Sequence, residues 1–134
     1  MTATNWRNSA MVLLVLASVT ACQAADLSGT TWTVTRLAGA ELTDRPPTLE
    51  IEGNAVSGFA GCNRYAGKVE IKGDSLRFSR LIATRMACLG PGMAVEDAFL
   101  KALETSVAAV HLKGEAAELV DAAGQPVIEL SRTR

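Results

Sequence analysis

Histidine occurs once in this 134-residue chain, at position 111. One imidazole argues against Ser-His-Asp and Cys-His nucleophilic sites and against multi-histidine metal centres. His111 sits between Val110 and Leu112 and reads as a structural residue. A phosphate-cradling glycine motif and metal-ligand spacing are likewise missing. Neither sign of charge is in excess: 13 Lys and Arg stand against 14 Asp and Glu, a formal −1, scattered without a basic stripe. Nucleic acid is therefore not an expected partner. No apolar run approaches the roughly 20 residues that cross a bilayer as a helix. No internal repeat recurs, and the length allows one domain. These absences predict no catalytic residue, no metal and no cofactor, hence no enzyme.

The chain opens like a secretion signal. Arg7 supplies a positive start, Ala10 to Ala17 an apolar centre, and Val19-Thr-Ala-Cys22 a small-residue exit. The last four residues resemble a bacterial lipobox, in which the cysteine is lipidated (palmitate is a typical chain) and becomes the first residue of the mature protein. The other reading is an ordinary signal peptide with Cys22 incidental, but no clean Ala-x-Ala site lies nearby. Residues 1–21 are thus expected to be removed and residues 22–27 to serve as a tether. Gln23, where aspartate would favour retention, points by analogy with enteric bacteria to the outer membrane, facing the periplasm. Removing 21 of 134 residues takes Arg7 away, leaving 12 Lys and Arg against 14 Asp and Glu, a formal −2.

Three cysteines is an odd count for an exported chain. With Cys22 given to lipid, Cys62 and Cys88 remain as a pair in a compartment where disulfides persist. A bond between them, rather than two reduced buried thiols, is the expectation. It would contribute about 3–4 kcal/mol by restricting the unfolded chain. Cys62 as a nucleophile lacks an activating second group, and Cys88 offers oxidation instead.

Around Cys62 runs Gly58-Phe-Ala-Gly-Cys-Asn-Arg-Tyr-Ala-Gly67, a stretch whose glycines and asparagine suit a tight bend between strands. Thr31–Leu37 alternates, with Trp32, Val34 and Arg36 on one face against Thr33, Thr35 and Leu37. Residues 39–47 form a loop stopped by Pro46-Pro47, and Thr48–Glu52 and Ala55–Phe59 make a hairpin across Gly53-Asn54. Lys68–Lys72 and Ser75–Ser79 alternate about Gly73-Asp74, and an extended segment, Leu81–Met86, leads to Cys88. The period then becomes helical from Met93 to about Val110, with Val95, Ala98, Phe99, Ala102, Leu103, Ser106 and Val110 on one face. Glu96 and Asp97 fit the first turn, where they suit the helix dipole, and as neighbours on a helix they face apart, unlike an acid/base pair. Two more strands, 117–121 and 126–131, close the chain. The fold class is mainly β with one helix (α+β), a strongly curved antiparallel sheet with the helix around residues 93–110 packed against it.

Five segments carry a family resemblance: Leu27-Ser-Gly-Thr-Thr-Trp32, Gly61-Cys-Asn63, Thr84-Arg-Met-Ala-Cys88, Glu96-Asp-Ala-Phe-Leu100 and Glu118-Leu-Val-Asp-Ala-Ala-Gly124. Residues 28–134 resemble the META domain, also called HslJ-like, found in small bacterial envelope proteins and some eukaryotic ones. The resemblance implies a bent antiparallel structure likened to a cracked barrel and to lipid-binding pilot lipoproteins of secretion systems. For activity it implies little: bacterial members are linked to heat and envelope stress and to antibiotic tolerance, with no established reaction.

Asn63, Arg64, Tyr65, Thr84 and Arg85 form the candidate binding surface, against the plainer reading of turn capping and solvated arginines. The leading functional expectation is a non-enzymatic, monomeric envelope lipoprotein that holds an apolar ligand or a lipidated partner in its barrel. The alternative is an inhibitor or scaffold that meets a periplasmic protease or lysozyme through the Cys62–Tyr65 loop.

Overall fold

The structure is a computed structural model that describes residues 26–134. The signal segment 1–21, Cys22 and most of the 22–27 tether lie outside the described residues. The elements are β1 (Thr31–Leu37), β2 (Ala40–Glu41), β3 (Thr48–Glu52), β4 (Ala55–Phe59), β5 (Arg64–Lys72), β6 (Ser75–Ala83), α1 (Gly92–Thr105), β7 (Ala109–Lys113), β8 (Ala116–Val120) and β9 (Pro126–Arg132).

The strands form one antiparallel sheet in the order β2-β1-β3-β4-β5-β6-β7-β8-β9, and β1 also pairs with β9, so the sheet returns on itself as an uneven ring. Alternation explains most of it. Leu49 and Ile51 of β3, Val69 of β5 and Leu76 and Phe78 of β6 point inward, as their period of two requires. On β1 the alternation breaks, because the β1–β9 ladder is bulged between Val34 and Arg36. One inserted residue swaps faces, so Leu37 goes inward and Arg36 outward, opposite to the sequence expectation. A second irregularity, between Ala66 and Lys68 on β5, lies across from Arg80, whose φ is +55°. It merges Ser75–Ser79 and the following extended segment into one nine-residue strand.

The ring is weakest between β6 and β7, which share the single register pair Ser75↔Ala109. Helix α1 fills this seam, burying Phe99, Ala102 and Leu103 against the ring. It is shorter than the 93–110 expected. Ser106 and Val107 N–H both return to Ala102 O, ending the helix, and Ala108 N–H donates to Val120 O on β8. Val110 becomes a buried residue of β7, and its apparent helical spacing is coincidental.

Trp32 and Phe99 head a fully buried interior completed by Leu27, Leu49, Ile51, Leu103, Leu119, Ile128 and Leu130. Leu27, assigned by sequence to the tether, is 1% exposed, and its carbonyl accepts the Trp32 indole N–H at 3.1 Å. The packed core therefore begins one residue before position 28.

The registers place the chain's described start at one pole of the ring. Ser28 bridges to Ile51, beside the Gly53-Asn54 turn, and Thr133 N–H donates to Thr31 O. The Gly73-Asp74 and Gly114-Glu115 turns share that pole. The Ala60–Asn63 bend, the 84–91 segment and the start of α1 gather at the opposite pole.

Candidate functional site

Backbone contact builds the second pole. A Cβ on Gly61 would stand 2.9 Å from Gly92 O, and a Cβ on Gly92 would stand 2.9 Å from Gly61 O. Only two residues without side chains let the bend lie against the first turn of α1, and Gly61 also holds φ at +128°. This approach brings Glu96, one turn further on, over the bend.

Glu96 is 5% exposed and has no cation beside it among the described salt bridges. Instead its Oε2 accepts the N–H groups of Cys62 at 3.2 Å and Asn63 at 2.5 Å, and its Oε1 accepts Asn63 Nδ2 at 3.0 Å. Three donors compensate a buried carboxylate that would otherwise be costly. Asn63, 1% exposed, also reaches the other way. Its Nδ2 donates to Met86 O at 3.2 Å, and its Oδ1 accepts Met86 N–H at 2.7 Å and Thr84 Oγ1–H at 3.2 Å. The amide thus clasps the Met86 backbone much as a neighbouring strand would. Two residues on, the Cys62–Cys88 disulfide ties the same segment covalently, with Cα atoms 5.9 Å apart.

These contacts correct several sequence expectations. Asn63 and Tyr65 are buried, at 1% and 3% exposed, rather than standing out as surface side chains. Asn63 is the clasp, and Tyr65 donates its hydroxyl to Thr48 O at 2.9 Å while its ring meets Phe99 edge-on at 5.5 Å. Burial pushes the Tyr65 phenol well above its ordinary pKa, with Arg64 opposing weakly. Arg64, Thr84 and Arg85 are exposed, and Thr84 N–H donates to Arg64 O at 3.0 Å, so those three remain together at the surface. Arg64 and Tyr65 lie on β5 rather than in a loop. Glu96 is not a first-turn charge, because α1 begins at Gly92 and its first turn holds no acidic residue. Asp97 alone faces water, as adjacent helical positions demand. His111 is exposed on β7 opposite Glu118.

The clasp holds one wall of an open groove of about 680 Å³, lined on that side by Leu81–Ala87 and on the other by Met93, Asp97 and Leu100 of α1. Ile82 is 73% exposed, Met86 62% and Met93 39%. Large apolar side chains standing in water around one concavity are the unusual feature of this surface. The sequence singles out none of these apolar residues, and it places Glu96 as a solvated helix-start charge instead of a buried one. The available signal for Glu96 was a carboxylate in the same helical stripe as Phe99 and Leu103.

The META domain family model matches residues 25–133, which spans the whole ring, the clasp and the groove. The chain belongs to the META domain family. An NMR structure of a protein from Burkholderia xenovorans is 31% identical, covering 80% of this chain and 83% of its own, with a TM-score of 0.63. A second NMR structure has the same fold at 21% identity, with 76% and 87% coverage and a TM-score of 0.61. No curated protein matches the chain. In this META domain the Gly61-Cys-Asn63 and Thr84–Cys88 motifs are the two halves of one clasp, joined by Asn63 and the disulfide.

Proposed function

We propose that this META protein is a non-enzymatic envelope lipoprotein, anchored through Cys22 at the outer membrane and facing the periplasm, that binds an apolar ligand or the apolar part of a lipidated partner. A role in envelope or heat stress and antibiotic tolerance is part of the same reading. One observation carries it: Ile82, Met86 and Met93 stand exposed around a groove braced by the disulfide and the Asn63–Glu96 clasp. The interior offers the ligand no such place, being filled by Trp32, Phe99 and their neighbours, so the binding surface is moved from inside the barrel to its outer seam. Bracing matters because a wall held in place loses little entropy when a ligand docks. The exposed Arg64, Thr84 and Arg85 favour a second reading, a protein partner such as a protease or lysozyme met by this polar rim.

The test is native and intact mass spectrometry of the membrane-extracted protein. We expect a chain beginning at Cys22 with acyl mass, carrying an additional apolar species whose occupancy falls in Ile82→Asp and in Met93→Lys. A soluble chain without acyl mass refutes the anchor. Equal occupancy in both variants refutes the groove. Recovery of one periplasmic protein that depends on Arg64 and Arg85, not on Ile82, selects the second reading.

A further inference from the structure

One edge of the sheet is left open beside the groove. On its β7 side β6 is held only at its beginning, by Leu76 N–H to Ala108 O at 3.0 Å and Val110 N–H to Asp74 O at 2.8 Å. Beyond that point no strand among the described residues lies on this side. The direction of the free groups follows from the other ladder. Because Thr84 N–H donates to Arg64 O, the next pair, Tyr65↔Ala83, is of the non-hydrogen-bonded kind. Ala83 N–H and C=O therefore point away from β5, toward α1. Leu81 N–H points the same way, where Glu104 Oε1 accepts it at 3.1 Å. A carboxylate caps the edge at Leu81, and from Ala83 onward the helix stands back across the groove.

We propose that this edge takes an extended peptide as an added strand, resting on the groove reading above and naming its occupant. An alkyl chain fills apolar space but cannot pair the Ala83 amide and carbonyl, whereas a peptide backbone pairs both. Alternate side chains of such a strand fall against Ile82, Met86 and Met93, which calls for apolar residues at every second position. Asp97, on the helix wall and without an ion pair among the described residues, calls for a basic residue on that side of the peptide, away from Arg85 of the strand wall. Strand addition also accounts for the clasp, since Asn63 holds the Met86 backbone in extended register just past Ala83.

The test uses the full oxidised chain and three synthetic probes: a blocked hexapeptide of alternating valine and threonine with one lysine, its two N-methylated isomers (amides of one alternate set or the other), and dodecanoic acid. The parent peptide is expected to slow exchange of the Ala83 amide. One isomer loses about tenfold in affinity, the equivalent of one lost hydrogen bond, while the other binds like the parent. Asp97→Asn weakens the parent peptide and flattens its salt dependence. Equal binding of both isomers overturns the proposal, as does peptide-independent pairing of two copies through Ala83. Dodecanoic acid binding with no peptide binding overturns strand addition and leaves the groove reading standing. No perturbation of Ile82, Met86 or Met93 by any probe removes both.

Discussion

Asn63 carries more of the second pole than any other side chain, because its amide answers Glu96, Thr84 and both polar groups of Met86 at once. Asn63→Ala strands a buried carboxylate oxygen and two backbone groups, and is expected to cost about 2–4 kcal/mol in urea unfolding. Tyr65 gives a different handle, since it is the chain's one tyrosine. Its folded-state pKa is raised by burial. Stability linked to it is therefore constant below the unfolded value of about 10 and falls as pH rises above it, because only the unfolded chain ionises there. Tyrosinate absorbance should appear together with unfolding in alkaline titration, not before it. Tyr65→Phe should lose that alkaline slope and cost about 1 kcal/mol at neutral pH, through the hydroxyl bond to Thr48 O. Tyrosinate forming in the native protein near pH 10 contradicts the burial argument.

At the scale of elements, the bend, the 84–91 segment and α1 form one cooperative unit fastened to a ring that has its own ladders. Reducing Cys62–Cys88 should lower stability by about 3–4 kcal/mol, while β5–β6 amides stay protected and exchange quickens mainly at 84–91 and the first turn of α1. Uniform loss of protection across the ring would disprove this division. Gly92→Ala forces a methyl to within 2.9 Å of Gly61 O, so it should separate helix from bend and cost about 1–3 kcal/mol. Gly114→Ala, in a turn with open space around it, should keep the groove intact and pay only for its φ of +63°.

For the whole molecule, the two poles decide what the groove can meet. The described chain starts beside the Gly53-Asn54 and Gly73-Asp74 turns, and the groove opens at the other end. A nine-residue strand such as β5 spans about 30 Å. The five residues after Cys22 reach about 17 Å at full extension. With Cys22 acylated as proposed, the groove faces the aqueous side rather than the anchoring leaflet. Nitroxide-labelled lipid headgroups should broaden the amides of Gly53, Gly73 and Gly114 more than those of Met86 and Met93. The reverse order would place the groove at the membrane.

Most strands were legible because a half-buried strand writes its period into composition, as Leu49 and Ile51 or Leu76 and Phe78 do. The pairing of Cys62 with Cys88 and the family could also be read from short motifs. Elsewhere local pattern was ambiguous. Val110 fits a helix stripe and a strand equally well, and only the bond from Ala108 N–H to Val120 O, made across the ring, assigns it to β7. The face of Leu37 depended on a bulge against β9, a strand some ninety positions away that no local alternation encodes. Asn63, Tyr65 and Glu96 are polar residues whose neighbours along the chain suggest exposure. What buries Asn63 and Glu96 is the meeting of the bend and α1 at Gly61 and Gly92, and Tyr65 is buried against Phe99 with its hydroxyl on Thr48 O of distant β3. Sequence alone therefore determined the alternation, the bend and the family, which are local properties of the chain. The clasp, the open edge of β6 and the apolar groove were decided by tertiary structure, because each exists only between segments that the closed ring brings together.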